Sequence, residues 1–127
     1  SLTTVHANTP RDALSRIETM VMFSESNLTH NAINRQMANA FHIIVQITRY
    51  SDGVRRISSI SEITGMEGEI ITMQDILKFQ QTGIGAQKNV EGYFEFTGVK
   101  PQFIQKFMKE GFLDTMKLES KFLKELY

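Results

Sequence analysis

Apolar residues follow two different spacings in the first quarter of the chain. Residues 2–7 alternate between apolar and polar positions, which predicts a strand. From Ala13 to Val21 the apolar residues recur every three or four positions, which is the spacing of an amphipathic helix. Thr9 and Pro10 stand just before this helix as its cap and its first residue, and we expect the helix to run to about Phe23.

Further helices are predicted on both sides of a central region. Thr29 is a candidate cap for a second helix, whose apolar face contains Ile33 and Met37. Near the other end of the chain, Pro101 opens a helix and Gly111 stands where a C-terminal cap belongs. A further charged, amphipathic helix is expected from Leu113 to Leu126; its apolar residues are Leu113, Met116, Phe122, Leu123 and Leu126.

The central region predicts a meander of antiparallel strands. The β-branched run HIIVQITRY predicts a buried strand, and Ser51-Asp52-Gly53 after it predicts a hairpin turn. A second tight turn is expected at residues 65–68, and a mobile loop at residues 80–92, which are polar and contain glycines. The strands that these turns separate are residues 42–50, 54–63, 69–79 and 93–98.

Composition excludes several classes of protein. Lys plus Arg equals Asp plus Glu at 14 each, so the formal net charge is zero and a nucleic-acid binder is disfavoured. The absence of cysteine excludes a disulfide scaffold, a thiolate metal site and a cysteine nucleophile. No apolar run approaches the length of about 20 residues that a membrane-spanning helix needs.

The chain also lacks the usual motifs of a complete nucleotide-hydrolysing site. A P-loop contains a Gly-Lys pair, and no glycine here is followed by lysine. Gly83 and Gly85 are not followed by the third glycine of a dinucleotide-binding fingerprint. The histidines His6, His30 and His42 do not have the spacing of metal ligands, so no metal site is predicted. Taken alone, the chain is not expected to be a complete enzyme.

The stretch SLTTVHANTPRDALSRIETMV resembles the histidine box of the secretion ATPases, which power type II and type IV secretion and pilus assembly. The tight-adherence (Tad/Flp) pilus ATPases are the branch to which it is most similar. Residues 31–79 are similar to the helix, hairpin and sheet that follow the box in that branch, and YFEFTGVKPQFIQKFMKEGF is similar to its terminal segment. The resemblance covers about residues 1–112, and it is specific because several segments match in order.

This resemblance implies an α/β fold, the C-terminal part of a RecA-like P-loop NTPase domain that ends in helices. Residues 1–99 would belong to the ATPase core and residues 100–127 to a C-terminal helical segment. The family's P-loop, aspartate box and Walker B acid lie upstream of the histidine box. We therefore expect the chain to be a piece of a longer protein, inactive alone, with no nucleotide or Mg²⁺ of its own.

The family implies a function for the intact parent protein. It would be a bacterial, Mg²⁺-dependent ATPase whose hexameric ring couples ATP hydrolysis to pilin or protein export. Its partners would be its own N-terminal half, the neighbouring subunits and the inner-membrane platform proteins. It would be cytoplasmic and peripheral to the inner membrane. The alternative is a non-enzymatic interaction or regulatory module that uses the same fold remnant.

The resemblance assigns His6 to the box histidine, which in the family lies at a strand end near the terminal phosphate of the nucleotide. An imidazole there can donate a hydrogen bond to the phosphate or to the attacking water. Thr4 and Asn8 belong to the same box and would orient the ring and fix its tautomer. Asn8 and Thr9 can instead serve only as helix caps, and the two roles are compatible.

Arg16 matches a family arginine on the helix after the box. There it would form an ionic contact across the active cleft or with a neighbouring subunit. The sequence equally supports a solvated residue that pairs with Asp12 at i, i+4. The remaining arginines of interest flank the hairpin as candidate subunit contacts, although charged hairpin ends are usually just solvated: Arg49, Arg55 and Arg56. Glu62, inside a predicted strand, is expected to pair with an arginine across the sheet rather than to act as a catalytic acid.

Overall fold

The computed structural model describes residues 2–24 and 27–111. Helix α1 spans Pro10–Ser24 and begins at the predicted cap. The Thr9 side chain accepts a hydrogen bond from the Asp12 backbone N–H at 3.1 Å, and the Thr9 carbonyl accepts one from the Ala13 N–H at 3.0 Å. A hydroxyl in this position satisfies an N–H that the helix itself leaves unpaired, so the helix starts here.

Helix α2 spans His30–Ala40, and its cap is also the predicted one. Thr29 accepts a hydrogen bond from the Ala32 N–H at 3.2 Å. The apolar faces of α1 and α2 meet one face of a sheet. The buried residues of this core are Leu14, Ile33, Met37, Ile63 and Ile71.

Four strands form an antiparallel sheet in the order in which they occur in the sequence. They are β1 (Ile43–Arg49), β2 (Arg55–Glu67), β3 (Ile70–Ile84) and β4 (Val90–Phe96). The predicted meander is therefore confirmed, and the described fold is mixed α/β. Among the described helices, none has both the length and the apolar character needed to cross a membrane.

The strand predicted for residues 2–7 is wrong. These residues form no regular element, and the carbonyls of His6 and Ala7 accept hydrogen bonds from side chains rather than from a neighbouring strand. Alternation of apolar and polar residues can favour extended backbone. A strand also needs a partner, however, and the described sheet contains only the four strands of the meander.

Two of the predicted connections are also wrong. The turn expected at residues 65–68 lies at Gly68-Glu69, between β2 and β3. Gly65, with φ 137°, instead lies at an irregularity within β2. The mobile loop expected at residues 80–92 is mostly strand: β3 continues to Ile84, and β4 begins at Val90. The polar, glycine-rich composition of residues 80–92 predicted a loop, but most of these residues belong to a long hairpin whose two strands are paired.

Strand β1 lies at an edge of the sheet and is not the buried strand that its composition predicted. Its residues alternate between half-buried and exposed. Ile44 packs against the α1–α2 core, whereas Val45 and Ile47 are 49% and 58% exposed on the opposite face. The β-branched run therefore reports strand propensity correctly, but it does not report how much of the strand is covered.

A buried carboxylate joins the sheet to the last described helix, α3 (Phe103–Lys109). Glu62 is 2% exposed, and its two oxygens accept hydrogen bonds from the backbone N–H groups of Gln102 and Phe103 at 2.9 and 2.8 Å. The Gln74 side chain donates a third bond at 2.9 Å. The expected arginine partner of Glu62 is therefore wrong, because the carboxylate caps a helix instead.

The end of α3 matches its prediction. Gly111 has φ 73°, the left-handed conformation that glycine adopts readily just beyond a helix. Pro101 lies two residues before the first helical residue and is buried. The further helix expected from Leu113 to Leu126 lies outside the described residues.

Replacing Glu62 tests whether this carboxylate holds α3. We expect Glu62→Ala to lower the free energy of unfolding by about 2–3 kcal/mol, because it leaves two backbone N–H groups without their acceptor in a buried place. Glu62→Gln retains one acceptor oxygen, so its free energy of unfolding should lie between those of the wild type and Glu62→Ala. Denaturant unfolding measures the difference, with exposed Glu67→Ala as the matched control. Equal stability of Glu62→Ala and the control would refute the role.

Candidate functional site

The predicted histidine-box segment lies directly before α1 and is held from two sides. Arg16, on α1, donates from Nη1 to the His6 carbonyl at 2.5 Å. Gln46, on β1, donates from Nε2 to the Ala7 carbonyl at 2.9 Å. Thr9 then caps the helix. Because a helix and a strand both bond to this short stretch, the backbone that carries His6 has a defined position.

An open cleft of about 480 Å³ lies along this segment and the first turns of α1. Most of its walls are polar. Its lining residues are His6, Ala7, Asn8, Asp12, Ser15, Arg16 and Thr19. The side chains of His6, Asn8 and Arg16 are exposed, so a solute can reach them without any movement of the core.

The structure brings together three of the four predicted site residues. His6, Asn8 and Arg16 all line the cleft, whereas Thr4 does not. For Arg16, the alternative was an ion pair with Asp12 on the helix surface. Instead its guanidinium bonds to the His6 carbonyl, and ion pairs in the described chain join other residues. Arg16 therefore holds the segment that carries the histidine.

Sequence reasoning missed three polar residues of the cleft, all on α1. Asp12, Ser15 and Thr19 lie three, four and seven positions apart, which places them on one face of the helix beside Arg16. This spacing was available in the sequence. Because the Thr19 hydroxyl donates to the Ser15 carbonyl at 2.9 Å, Thr19 offers the cleft an acceptor rather than a donor.

The cleft is suited to an anionic or strongly hydrogen-bonding ligand. It combines an imidazole, a carboxamide and the remaining N–H groups of a guanidinium, which donate to phosphate and carboxylate oxygens. Asp12 is the single carboxylate in its lining. Among the described residues, no group of three or more histidines, aspartates or glutamates is placed to hold a metal ion.

The hairpin arginines have different surroundings. Arg49 and Arg55 are register partners next to the turn of the β1–β2 hairpin, and both are exposed. The Arg56 guanidinium is instead paired within the chain. It forms a two-pronged ion pair with Asp52, at 3.0 and 2.7 Å, and its guanidinium lies 5.5 Å from the centre of the Tyr50 ring.

Asp52 connects two hairpins. Besides Arg56, its carboxylate accepts hydrogen bonds from the backbone N–H groups of Val54 at 3.1 Å and Val90 at 2.8 Å. Val90 begins β4, so the β1–β2 turn is bonded directly to the far edge of the sheet. The hydrogen bonds from Arg56 and Val90 hold the pKa of Asp52 well below its usual value.

The depressed pKa of Asp52 predicts a pH-dependent contribution to stability. The unfolded carboxyl has an ordinary pKa of about 3.9, so the contribution is complete at higher pH and is lost as the pH falls through the folded-state pKa. We expect Asp52→Asn to be less stable than wild type at neutral pH, with a gap that narrows from about pH 4 downward. Denaturant unfolding at several pH values measures the gap, with Glu67→Gln as control. A gap that stays constant down to the lowest pH would contradict this account.

Comparison with known proteins adds no family to this picture. The chain matches no protein-family model. No curated protein matches it either.

Proposed function

We propose that this chain is the C-terminal part of a secretion or pilus-assembly ATPase. The whole protein would couple ATP hydrolysis in a hexameric ring to the export of pilins or other proteins. The observation that carries the proposal is the cleft in which His6, Asn8 and Arg16 meet on a segment held by α1 and β1. In the resembling family, the box histidine lies near the terminal phosphate of the nucleotide.

In this proposal the cleft is one wall of an ATP site, and His6 is its working residue. The imidazole donates a hydrogen bond to the terminal phosphate or to the water that attacks it. Arg16 acts through the backbone, because its bond to the His6 carbonyl fixes the position of the backbone that carries the ring. Gln46 supports the same segment from the sheet. A proton donor held in position costs little reorganisation when charge develops on the phosphate.

The described residues fit a phosphate better than they fit a metal ion. The cleft offers donors from His6, Asn8 and Arg16, and Asp12 is its single carboxylate. Bound Mg²⁺ supplies charge neutralisation at the phosphates in this class of reaction. Its ligands, like the P-loop, would come from the upstream half of the protein. The described chain would therefore contribute hydrogen-bond donors in fixed positions, and the upstream half would contribute most of the free energy of nucleotide binding.

Assembly and location are part of the proposal. Neighbouring subunits would close the ring, and inner-membrane platform proteins would receive its motion at the cytoplasmic side. Arg49 and Arg55 present two adjacent cations at one exposed hairpin end. Two like charges in register repel each other, and an acidic surface on a neighbouring subunit would relieve that repulsion.

Replacing His6 in the intact ATPase tests the proposed role. We expect His6→Ala to lower steady-state ATP turnover roughly 10²-fold, as when other preorganised donors to a developing charge are removed. Nucleotide affinity should stay within a few-fold, since most phosphate contacts lie elsewhere. His42→Ala is the matched control, because His42 is also exposed but lies outside the cleft. Unchanged turnover in His6→Ala would remove this residue from the mechanism.

Nucleotide binding by the 127-residue chain tests where the phosphate site lies. We expect titration calorimetry with Mg-ATP to show weak binding or none, because the P-loop is absent from this sequence. Sub-micromolar binding would contradict the proposed division of the site. The coding sequence upstream of Ser1 gives an independent check: the proposal requires an in-frame P-loop there, and a start codon without one would favour the interaction module.

A further inference from the structure

A side chain of the sheet reaches the segment that carries His6. Gln46, on β1, donates from Nε2 to the Ala7 carbonyl at 2.9 Å. These two residues are 39 positions apart, so the bond joins the segment to a distant element. Arg16 bonds to the His6 carbonyl from only 10 positions away, on the helix that follows the segment. Gln46 therefore sets where the segment lies relative to the sheet, and Arg16 sets where it lies relative to α1.

The two bonds orient neighbouring peptide planes. The backbone atoms from one Cα to the next lie close to a plane, so an oriented carbonyl also orients the line between the Cα atoms beside it. The His6 carbonyl, held by Arg16, orients the plane from His6 to Ala7. The Ala7 carbonyl, held by Gln46, orients the plane from Ala7 to Asn8. His6 and Asn8 both line the cleft, and their side chains start from Cα atoms that these bonds place.

The pairing of β1 with β2 is irregular at Gln46. The register shifts between Gln46 and Ile47, which leaves Ser58 as an extra residue on β2. The Ser58 hydroxyl lies 3.3 Å from the Gln46 carbonyl oxygen and 2.8 Å from the Thr48 hydroxyl. Irregularities of this kind re-aim side chains next to functional sites. The backbone from which the Gln46 side chain starts is thus bonded to β2 at the point where the register changes.

Gln46 also lies on the sheet face that packs against the helices. It follows Ile44 by two positions on β1, so the two side chains share a face, and Ile44 packs against the α1–α2 core. Gln46 is half-buried there. A polar group in such a place needs a hydrogen-bond partner, and the Ala7 carbonyl supplies it. Packing alone would be served by an apolar residue, so the amide adds a donor aimed at the segment.

We propose that Gln46 is a positioning residue for His6 and Asn8. Its amide holds the peptide after Ala7 in the orientation that places both side chains in the cleft. Its effect on ATP hydrolysis rests on the function proposed above, because a displaced imidazole loses its geometry with the terminal phosphate. A displacement of about 1 Å can lower a rate by about 10²-fold. Gln46 itself lies outside the lining of the cleft, so it acts through the segment.

NMR of the 127-residue chain tests the positioning without reference to activity. Gln46→Met keeps the length of the side chain and removes its N–H donors. We expect the carbonyl carbon signal of Ala7, the amide signals of Asn8 and the ring signals of His6 to shift. Gln80→Met, at a half-buried glutamine on β3 outside the cleft, is the matched control and should leave these signals in place. Signals that keep their wild-type positions in Gln46→Met would overturn the proposal.

Steady-state kinetics of the intact ATPase test the consequence for turnover. We expect Gln46→Met to lower kcat about 10-fold and to leave KM for ATP within about three-fold, because the displaced donor acts mainly in the transition state. Gln80→Met should match the wild type. Because Gln46 acts through His6, adding Gln46→Met to His6→Ala should lower turnover by less than about two-fold further.

The outcomes separate this proposal from the proposed function. An equal loss of turnover from Gln46→Met in the wild-type and His6→Ala backgrounds would overturn the positioning role, since Gln46 would then act elsewhere. Wild-type kcat in Gln46→Met, together with reduced kcat in His6→Ala, would overturn it as well. If His6→Ala itself leaves turnover unchanged, the proposed function fails, and the NMR result alone decides whether Gln46 positions the segment.

Discussion

The hydrogen bonds of the buried Glu62 carboxylate are the interaction that holds the last described helix to the sheet. A charged side chain that is 2% exposed must be fully hydrogen-bonded, and here two backbone N–H groups of the α3 entry and the Gln74 amide supply the bonds. These bonds tie together positions that are 40 and 41 residues apart in the sequence. They determine where α3 begins.

The two faces of the sheet are packed to different extents. One face is closed by α1 and α2 and supports the segment that carries His6, because α1 and β1 each donate a hydrogen bond to that segment. The opposite face exposes apolar side chains such as Val45 and Ile47, which are 49% and 58% exposed. The candidate site thus depends on the well-packed side.

Features set by neighbouring residues could be predicted from the sequence, and features set by distant ones could not. Thr9 and Thr29 were identified as caps because a cap acts within three residues. The hairpin across residues 80–92 was missed because a polar, glycine-rich stretch gives no local sign of cross-strand packing. A side chain at Gly92 would meet the Phe79 ring at 2.5 Å, so glycine here leaves room for a ring from the opposite strand. At the site, His6, Asn8 and Arg16 were predicted from the resemblance, but Gln46 comes from a strand 39 positions away from its partner.

The central claim is that His6 lies against the terminal phosphate of a nucleotide bound mainly by the upstream half of the protein. The most direct test is a structure of the intact protein with Mg²⁺ and a non-hydrolysable ATP analogue. The account predicts a ring nitrogen of His6 within about 2.7–3.2 Å of a terminal phosphate oxygen or of a water beside it. Nucleotide bound with the His6 ring directed away from the phosphates would contradict the account.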